Sequence, residues 1–131
     1  MRLDQFAPLS AWKNAKFYSL QKGPAADQAR NPPAGMELFD FSNDLRDFTD
    51  TAAMIANLDL LVTVDTSVAH LAGAMGKPVW VLLPFMPDWR WILNRDDSPW
   101  YPTMRLFRQK TRGEWGEVME RVRQNLLSDE L

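Results

Sequence analysis

The chain has 131 residues, of which 46% are hydrophobic, and it carries 15 Lys plus Arg against 17 Asp plus Glu, giving a formal net charge of −2. This length can bury one core but not two domains, and the charge balance argues against nucleic acid or an anionic membrane as the main partner. With no cysteine and one histidine, disulfides, thiolate nucleophiles, zinc-thiolate sites and histidine metal clusters are excluded, so we expect no metal site.

The longest uncharged apolar stretch, residues 79–86, contains Pro84 and is far shorter than the ~20 residues that span a bilayer. The first residues lack the charged and apolar regions of a secretory signal. We therefore expect no membrane span and a cytoplasmic location.

The first part of the chain predicts a short helix and two strands. Phe6, Leu9 and Trp12 share one helical face, with Pro8 in the first turn. Residues 16–21 and 36–41 predict strands, and the Gly- and Pro-rich segment between them predicts a loop that contains at most one helical turn.

The middle of the chain alternates helices and strands. Thr49 or Asp50 can cap a helix that ends near Asn57, and residues 60–64 form an apolar strand of the type that is buried on both faces. The next predicted helix, residues 67–75, stops at a Gly-Lys-Pro sequence. Four of its residues follow helical spacing and are predicted to face the sheet: Val68, Leu71, Ala72 and Met75.

The last part predicts strands at residues 79–83 and 104–108 and a final helix at residues 113–127. Between the strands lies the 84–102 segment, which is long for a connection and holds three tryptophans. We expect its Trp91 and Trp100 to pack, with a more mobile polar tip at residues 86–90.

This alternation predicts an α/β fold, namely a Rossmann-like, doubly wound parallel sheet of about five strands with a C-terminal helix. The expected strand order is 2-1-3-4-5, and residues 1–131 are expected to form a single domain. In such folds ligands bind at the carboxyl ends of the strands.

The third predicted strand runs through Asp65 and Thr66 directly into a helix that begins at Ser67. A helix start with free N–H groups, two hydroxyls and the nearby His70 suits an anion such as a diphosphate. Helical geometry places His70 on the side away from the apolar stripe. The alternative is that Ser67 only caps the helix and His70 is a surface residue.

Several segments resemble glycosyltransferase family 9, the heptosyltransferase-like enzymes with the GT-B fold. The central match is DTSVAHLAGAMGKP at residues 65–78, which resembles the family's Asp-Thr-Gly-x-x-His-x-Ala segment. Four more segments resemble the C-terminal domain of bacterial proteins that join tetratricopeptide repeats to such a glycosyltransferase: FYSLQKG (17–23), DFTDTAA (47–53), PDWRW (87–91) and DSPWYP (97–102). The resemblance extends over roughly residues 3–127.

The resemblance implies that this chain is the donor-binding half of the enzyme, with a nucleotide-sugar as ligand and no further cofactor. Around Asp65, backbone donors at Thr66, Ser67 and Val68 and the side chain of His70 would contact the diphosphate. Ser67 stands where heptosyltransferases have Gly, and its Cβ restricts close backbone approach.

Further candidates lie at other predicted strand ends. Lys22 can place an ammonium near the same diphosphate, or it is an exposed loop lysine. Asp88 and Arg90 offer hydrogen bonds to a sugar or phosphate. Asp47, Asp50 and Thr51 can contact a hydroxyl, although capping a helix accounts for them equally.

A GT-B enzyme closes its site between two halves, and no general base is evident here, so we expect no catalytic residue in this chain. The expected partners are the amino-terminal GT-B half and tetratricopeptide repeats of a larger chain. The alternative is a degenerate donor domain that serves as a protein-interaction module. The first predicted strand ends without the acidic residues of a receiver domain, and Gly-x-Gly-x-x-Gly of dinucleotide oxidoreductases is absent.

Overall fold

The computed structural model describes residues 1–128, and residues 129–131, which the predicted domain includes, lie outside the described residues. The described residues form five strands: β1 (Phe17–Ser19), β2 (Leu38–Asp40), β3 (Leu61–Val64), β4 (Val79–Leu83) and β5 (Met104–Arg108). The α-helices are α1 (Phe48–Ala56), α2 (Ser67–Ala74) and α3 (Trp115–Leu127). Short 3₁₀ helices cover Leu3–Ala11, Pro24–Arg30 and Trp89–Trp91. No helix within residues 1–128 is long and apolar enough to span a membrane.

The named strands within residues 1–128 pair in parallel, which confirms the predicted α/β class. β1 pairs with β2, and β4 lies between β3 and β5. These neighbours agree with the order 2-1-3-4-5, but the described strands form two hydrogen-bonded sheets because β1 and β3 do not pair. A cleft lies where that pairing would join the two sheets.

Two apolar cores cover opposite faces of the sheet, as the doubly wound prediction requires. One core places Ile55 of α1 and Ala72 of α2 against β4 and β5. The other places Val118 and Val122 of α3 with Leu9 of the first 3₁₀ helix. β4 is buried along its whole length because helices cover both of its faces.

The start of α1 corrects one prediction. The cap is Asp47, whose carboxylate accepts hydrogen bonds from the backbone N–H groups of Thr49 at 2.8 Å and Asp50 at 3.0 Å. Asp50 instead pairs with Arg46 at 2.9 Å. Asp47 wins because an Asx side chain reaches N–H groups two and three residues ahead, and Asp50 already lies inside the helix.

The buried face of α2 also differs from the predicted stripe. Its buried residues are Ala69, Ala72 and Gly73, whereas Met75 is exposed and Val68 and Leu71 are only partly buried. Small side chains let the helix approach β4 and β5 closely, so the larger residues are displaced to its edges. The predicted stop is confirmed, since Gly76 adopts a φ of +69° and the next N–H bonds back to the helix.

Candidate functional site

The site is built on the junction between β3 and α2. Thr66 has extended backbone angles (φ −145°, ψ 167°) and is the N-cap of α2, but its side chain makes no capping hydrogen bond. The N–H groups of Ser67 and Val68, in the first turn of α2, therefore keep no intrahelical partner. The alternative in which Ser67 caps the helix is wrong, because Ser67 is itself the first helical residue.

This helix start opens into a cleft of about 1020 Å³ between the two sheets. Every residue from Leu60 to Val64 lines it, and so does every residue from Lys16 to Lys22. A strand that offered a face would contribute alternate residues, so it is the free edges of β1 and β3 that line the cleft. Thr66, Ser67 and Val68 lie at its rim with Lys22, four of the eight predicted donor-binding residues.

Lys22 follows β1 and reaches across to the loop after β2. Its ammonium donates a hydrogen bond of 2.7 Å to the backbone carbonyl of Ser42 and is otherwise exposed. A lysine has three donors, so two remain for a ligand. Lys22 also borders a smaller polar cavity of about 270 Å³ beside Arg30 and Asp40.

His70 and Asp65 form a separate pair that does not line the cleft. The Nε2 atom of His70 lies 3.7 Å from a carboxylate oxygen of Asp65. Its Nδ1 atom lies 3.2 Å from the hydroxyl of Tyr101, and its ring stacks on Trp91 with centroids 5.3 Å apart. The His70 side chain points away from the sheet, as predicted, and there it meets the 84–102 segment. It is only 32% exposed, so the alternative in which it is a surface residue is wrong.

Asp88 and Arg90 belong to a local turn, and neither lines the cleft between the sheets. The carboxylate of Asp88 caps the Trp89–Trp91 turn by accepting the N–H of Arg90 at 3.0 Å, and the two side chains pair at 3.4 Å. The Arg90 guanidinium lies over the ring of Trp89, 6.0 Å from its centroid. Their charges are therefore engaged within the segment.

Of the two tryptophans in the 84–102 segment that were expected to pack, one does. Trp91 is fully buried, as predicted. Trp100 was expected to pack but is 55% exposed, and its indole N–H donates a hydrogen bond to the carbonyl of Arg90 at 2.8 Å. Because that bond satisfies the only polar atom of the indole at the surface, nothing requires this ring to enter the core.

Residues at the end of β5 fasten this segment, and the sequence analysis missed them. Arg108 donates hydrogen bonds to the carbonyls of Trp91 and Arg95, and burial lowers the pKa of its guanidinium. Gln109 is buried and accepts from the N–H groups of Phe85 and Gly113. The available signal was the polar pair Arg108 and Gln109 at the end of β5. Their hydrogen-bond partners lie too far away in sequence to be predicted.

Within residues 1–128, no three His, Cys, Asp or Glu side chains lie close enough together to hold a metal ion. The candidate chemistry is therefore that of backbone N–H donors, the ammonium of Lys22 and hydroxyl groups around a cleft. These groups suit an anionic, hydroxyl-rich ligand.

Comparisons with known proteins agree with the resemblance. The model of glycosyltransferase family 9 (heptosyltransferase) matches residues 46–83, which run from the start of α1 through β4. The chain is also 30% identical over 131 positions to Protein FlbA of Caulobacter vibrioides, an alignment that covers 92% of this chain and 22% of FlbA. The chain thus spans about a fifth of the length of this curated relative. No solved structure matches it significantly.

The matched residues contain the cap of α1, strand β3 and the helix start at Thr66 and Ser67. The resemblance to the heptosyltransferase-like family is therefore confirmed, and it is carried by the elements that build the rim of the cleft.

Proposed function

We propose that this chain is the nucleotide-sugar binding half of a glycosyltransferase of the family 9 type, which transfers a glycosyl group from a nucleoside-diphosphate sugar. The observation that carries the proposal is the uncapped start of α2 at the rim of the cleft, facing the same space as Lys22. The family match over residues 46–83 supports the glycosyltransferase class.

The diphosphate binds at the start of α2. Free N–H groups at Ser67 and Val68 donate to phosphate oxygens, and the helix dipole adds about 0.3–1 kcal/mol for each such charge. Lys22 supplies an exposed cation that lines the same cleft. Ser67 adopts helical rather than positive-φ backbone, so its Cβ imposes no backbone strain where the family has Gly.

The remaining four predicted residues act on the site without contacting the diphosphate. Asp65 and His70 pair beside the helix start, and Asp88 and Arg90 shape the segment that follows β4. Hydroxyls and backbone groups along the free edges of β1 and β3 are available to the nucleoside and sugar.

The surrounding architecture is part of the same proposal. Residues 1–131 form one Rossmann-like domain, the C-terminal half of a GT-B enzyme in a bacterial, cytoplasmic protein with tetratricopeptide repeats. The acceptor and the catalytic base lie in the amino-terminal half. The low share of FlbA that the chain covers is consistent with a larger parent protein.

A second candidate function is that of a degenerate donor domain that binds another protein without catalysis. The 84–102 segment favours it, because it exposes six large apolar side chains: Phe85, Met86, Trp89, Ile92, Leu93 and Trp100. Ile92 also adopts a φ of +48°, a costly conformation for a β-branched residue. Exposed patches of this kind are typical of protein interfaces.

The test exploits the position of Ser67 as the first helical residue. Proline is tolerated there and lacks an N–H group, and the extended backbone of Thr66 accommodates a following proline. Ser67→Pro therefore deletes one phosphate donor and keeps the helix, whereas Ser67→Gly keeps the donor and restores the family residue.

The titration uses UDP, GDP, ADP and CMP with their sugars, read by NMR on the labelled chain. We expect dissociation constants from roughly 100 μM to several mM for this half alone, with shifts centred on residues 66–70. Ser67→Pro and Lys22→Gln should each weaken binding about fivefold or more, whereas Ser67→Gly and the exposed control Lys13→Gln leave it unchanged. Absence of binding by the whole panel, or shifts that spare residues 66–70, would favour the interaction module.

A further inference from the structure

The side chain of His70 joins two elements that lie far apart in sequence. It projects from the first half of α2 and touches the 84–102 segment at two anchors, the buried Trp91 and the half-buried Tyr101. The ring stacks on Trp91 at an interplanar angle of 26° and meets Tyr101 edge-on at 63°. Each of its two nitrogens faces a polar atom, on Tyr101 and on Asp65.

The two anchors are themselves packed against α2 and the sheet. Trp91 belongs to the core formed by α1, α2, β4 and β5, and the Tyr101 ring lies against Gly73, one turn beyond His70. Among the described residues, the 84–102 segment makes one hydrogen bond to a side chain of α2, and that bond joins Tyr101 to His70. His70 is therefore well placed to fix the segment in register on the helix.

We propose that His70 is a positioning residue that holds the 84–102 segment over α2 through Tyr101 and Trp91, and that it does not contact the donor itself. This inference rests on the proposed function, because the held segment then lies beside the proposed diphosphate site at the carboxyl edge of the sheet, although none of its residues lines the cleft between the sheets. β3 and β4 are adjacent and parallel, so the segment leaves β4 at the same edge from which α2 starts.

The geometry favours this role over direct contact with a phosphate. A ring that turned to the cleft would give up its stacking on Trp91 and its partners Tyr101 and Asp65. Asp65 places a carboxylate at 3.7 Å on the outer nitrogen, which disfavours an anionic ligand at that atom. The backbone N–H groups at Ser67 and Val68 remain free for the diphosphate.

We call the contacts of His70 with Trp91 and Tyr101 the latch. Amide hydrogen exchange on the ligand-free chain tests the latch without relying on donor binding. We expect His70→Ala and Tyr101→Phe each to accelerate exchange across residues 84–102 by about fivefold to tenfold, the equivalent of one lost hydrogen bond, while β4 keeps its protection. Tyr101→Phe preserves the ring against Gly73 and removes only the hydroxyl, so it serves where His70→Ala fails to fold.

Coupling and rescue separate a latch from general destabilisation. The double variant should exchange no faster than the faster single variant, because both changes break one bond. His70→Asn, whose amide occupies the place of Nδ1, should restore slow exchange, whereas His70→Gln should not. Unchanged exchange in His70→Ala, or fully additive effects of the two substitutions, would overturn the inference.

Ligand titration then distinguishes this inference from the proposed function. For any UDP, GDP or ADP sugar that binds, Tyr101→Phe and His70→Ala should lower affinity for the nucleotide-sugar several-fold more than for the nucleoside diphosphate alone. A loss of diphosphate affinity above tenfold in His70→Ala, with Tyr101→Phe unchanged, would show direct contact and refute the positioning role. If no nucleotide binds the wild-type chain, the proposed function fails, while the exchange result still decides the latch.

Discussion

Gly73 offers a sharp test of how closely α2 packs against the segment that follows β4. A Cβ atom at this position would lie 2.6 Å from Cε of Met104 and 2.7 Å from Cγ of Tyr101. Both distances are shorter than a non-bonded carbon contact allows. The backbone itself is ordinary helix, so a Gly73→Ala change meets no conformational barrier apart from this contact.

Two opposing terms set the expected magnitude. Replacing a mid-helix Gly by Ala stabilises a helix by about 1 kcal/mol, whereas overpacking a core costs typically ~1–3 kcal/mol. The end of Met104 can move, but Cγ of Tyr101 lies at the root of a ring held by His70. The packing cost should therefore exceed the helical gain, and we expect Gly73→Ala to lower the free energy of unfolding by up to about 2 kcal/mol.

Gly116 provides the matched control because it lies in α3 with open space where a Cβ would be added. Gly116→Ala should raise the free energy of unfolding by up to ~1 kcal/mol. Urea denaturation followed by far-ultraviolet circular dichroism measures both variants on the same signal. If Gly73→Ala stabilises the chain as much as Gly116→Ala does, the close packing of Tyr101 on α2 is refuted.

Three further predictions concern the tryptophans, one ion pair and catalysis. Trp91→Ala should cost ~3–5 kcal/mol in chemical denaturation and the exposed Trp100→Ala at most ~0.5 kcal/mol, and equal losses would show that the segment packs through both ends. The Arg123 guanidinium lowers the pKa of Glu120 to about 2, so this pair stabilises the fold above the ordinary Glu pKa and loses that contribution as pH falls toward 2. The difference in urea midpoint between wild type and Glu120→Gln should therefore shrink between pH 7 and pH 2.5, and a constant difference would contradict the pairing. Finally, the chain alone should release no nucleoside diphosphate from a donor panel with simple acceptors, since orienting two reactants can supply ~7–11 kcal/mol and the acceptor wall is missing; turnover abolished by His70→Ala would contradict this.

The central strands were predictable because their chemistry is local. Residues 79–83 and 104–108 were predicted as strands, and they are the observed bounds of β4 and β5. β4 is an apolar run, and β5 carries three buried apolar residues beside Arg105 and Arg108. Both begin just after turn-forming residues, so pattern and tertiary burial favour the same structure. β1 and β2 are shorter than predicted, with three residues each, because β1 pairs on one side only and no neighbour extends its ladder.

The buried face of α2 escaped prediction for a physical reason. Hydropathy ranks Leu71 and Met75 above Ala69 and Gly73, but a helix that lies close to a sheet buries its small residues there. Which side chains fit at this contact depends on their volume rather than on their hydropathy. The space available is set by Tyr101 and Met104 on the opposite side. Those neighbours lie about thirty residues away in sequence, which periodicity cannot detect.

The candidate site could also be predicted only in part. The rule that ligands meet the carboxyl ends of parallel strands led to Lys22 and the start of α2, and these groups do share the cleft. The same rule could not show that Asp88 and Arg90 neutralise each other in a local turn. It also could not show that β1 and β3 leave their edges unpaired, since that depends on how two cores fix the distance between sheets.

The unpaired edges give the proposed donor site its shape. A continuous sheet would satisfy the N–H and C=O groups of β1 and β3 with each other and would leave only the rim at Thr66 for a ligand. With the edges apart, the cleft lined by residues 60–64 offers backbone donors and acceptors beside the proposed diphosphate site. Under the proposed function, ligand specificity at such edges would come from main-chain groups and change little with side-chain substitution, whereas affinity for the diphosphate would depend on Lys22 and the helix start. Substitutions of the edge residues should therefore change the free energy of unfolding more than they change which nucleotide binds.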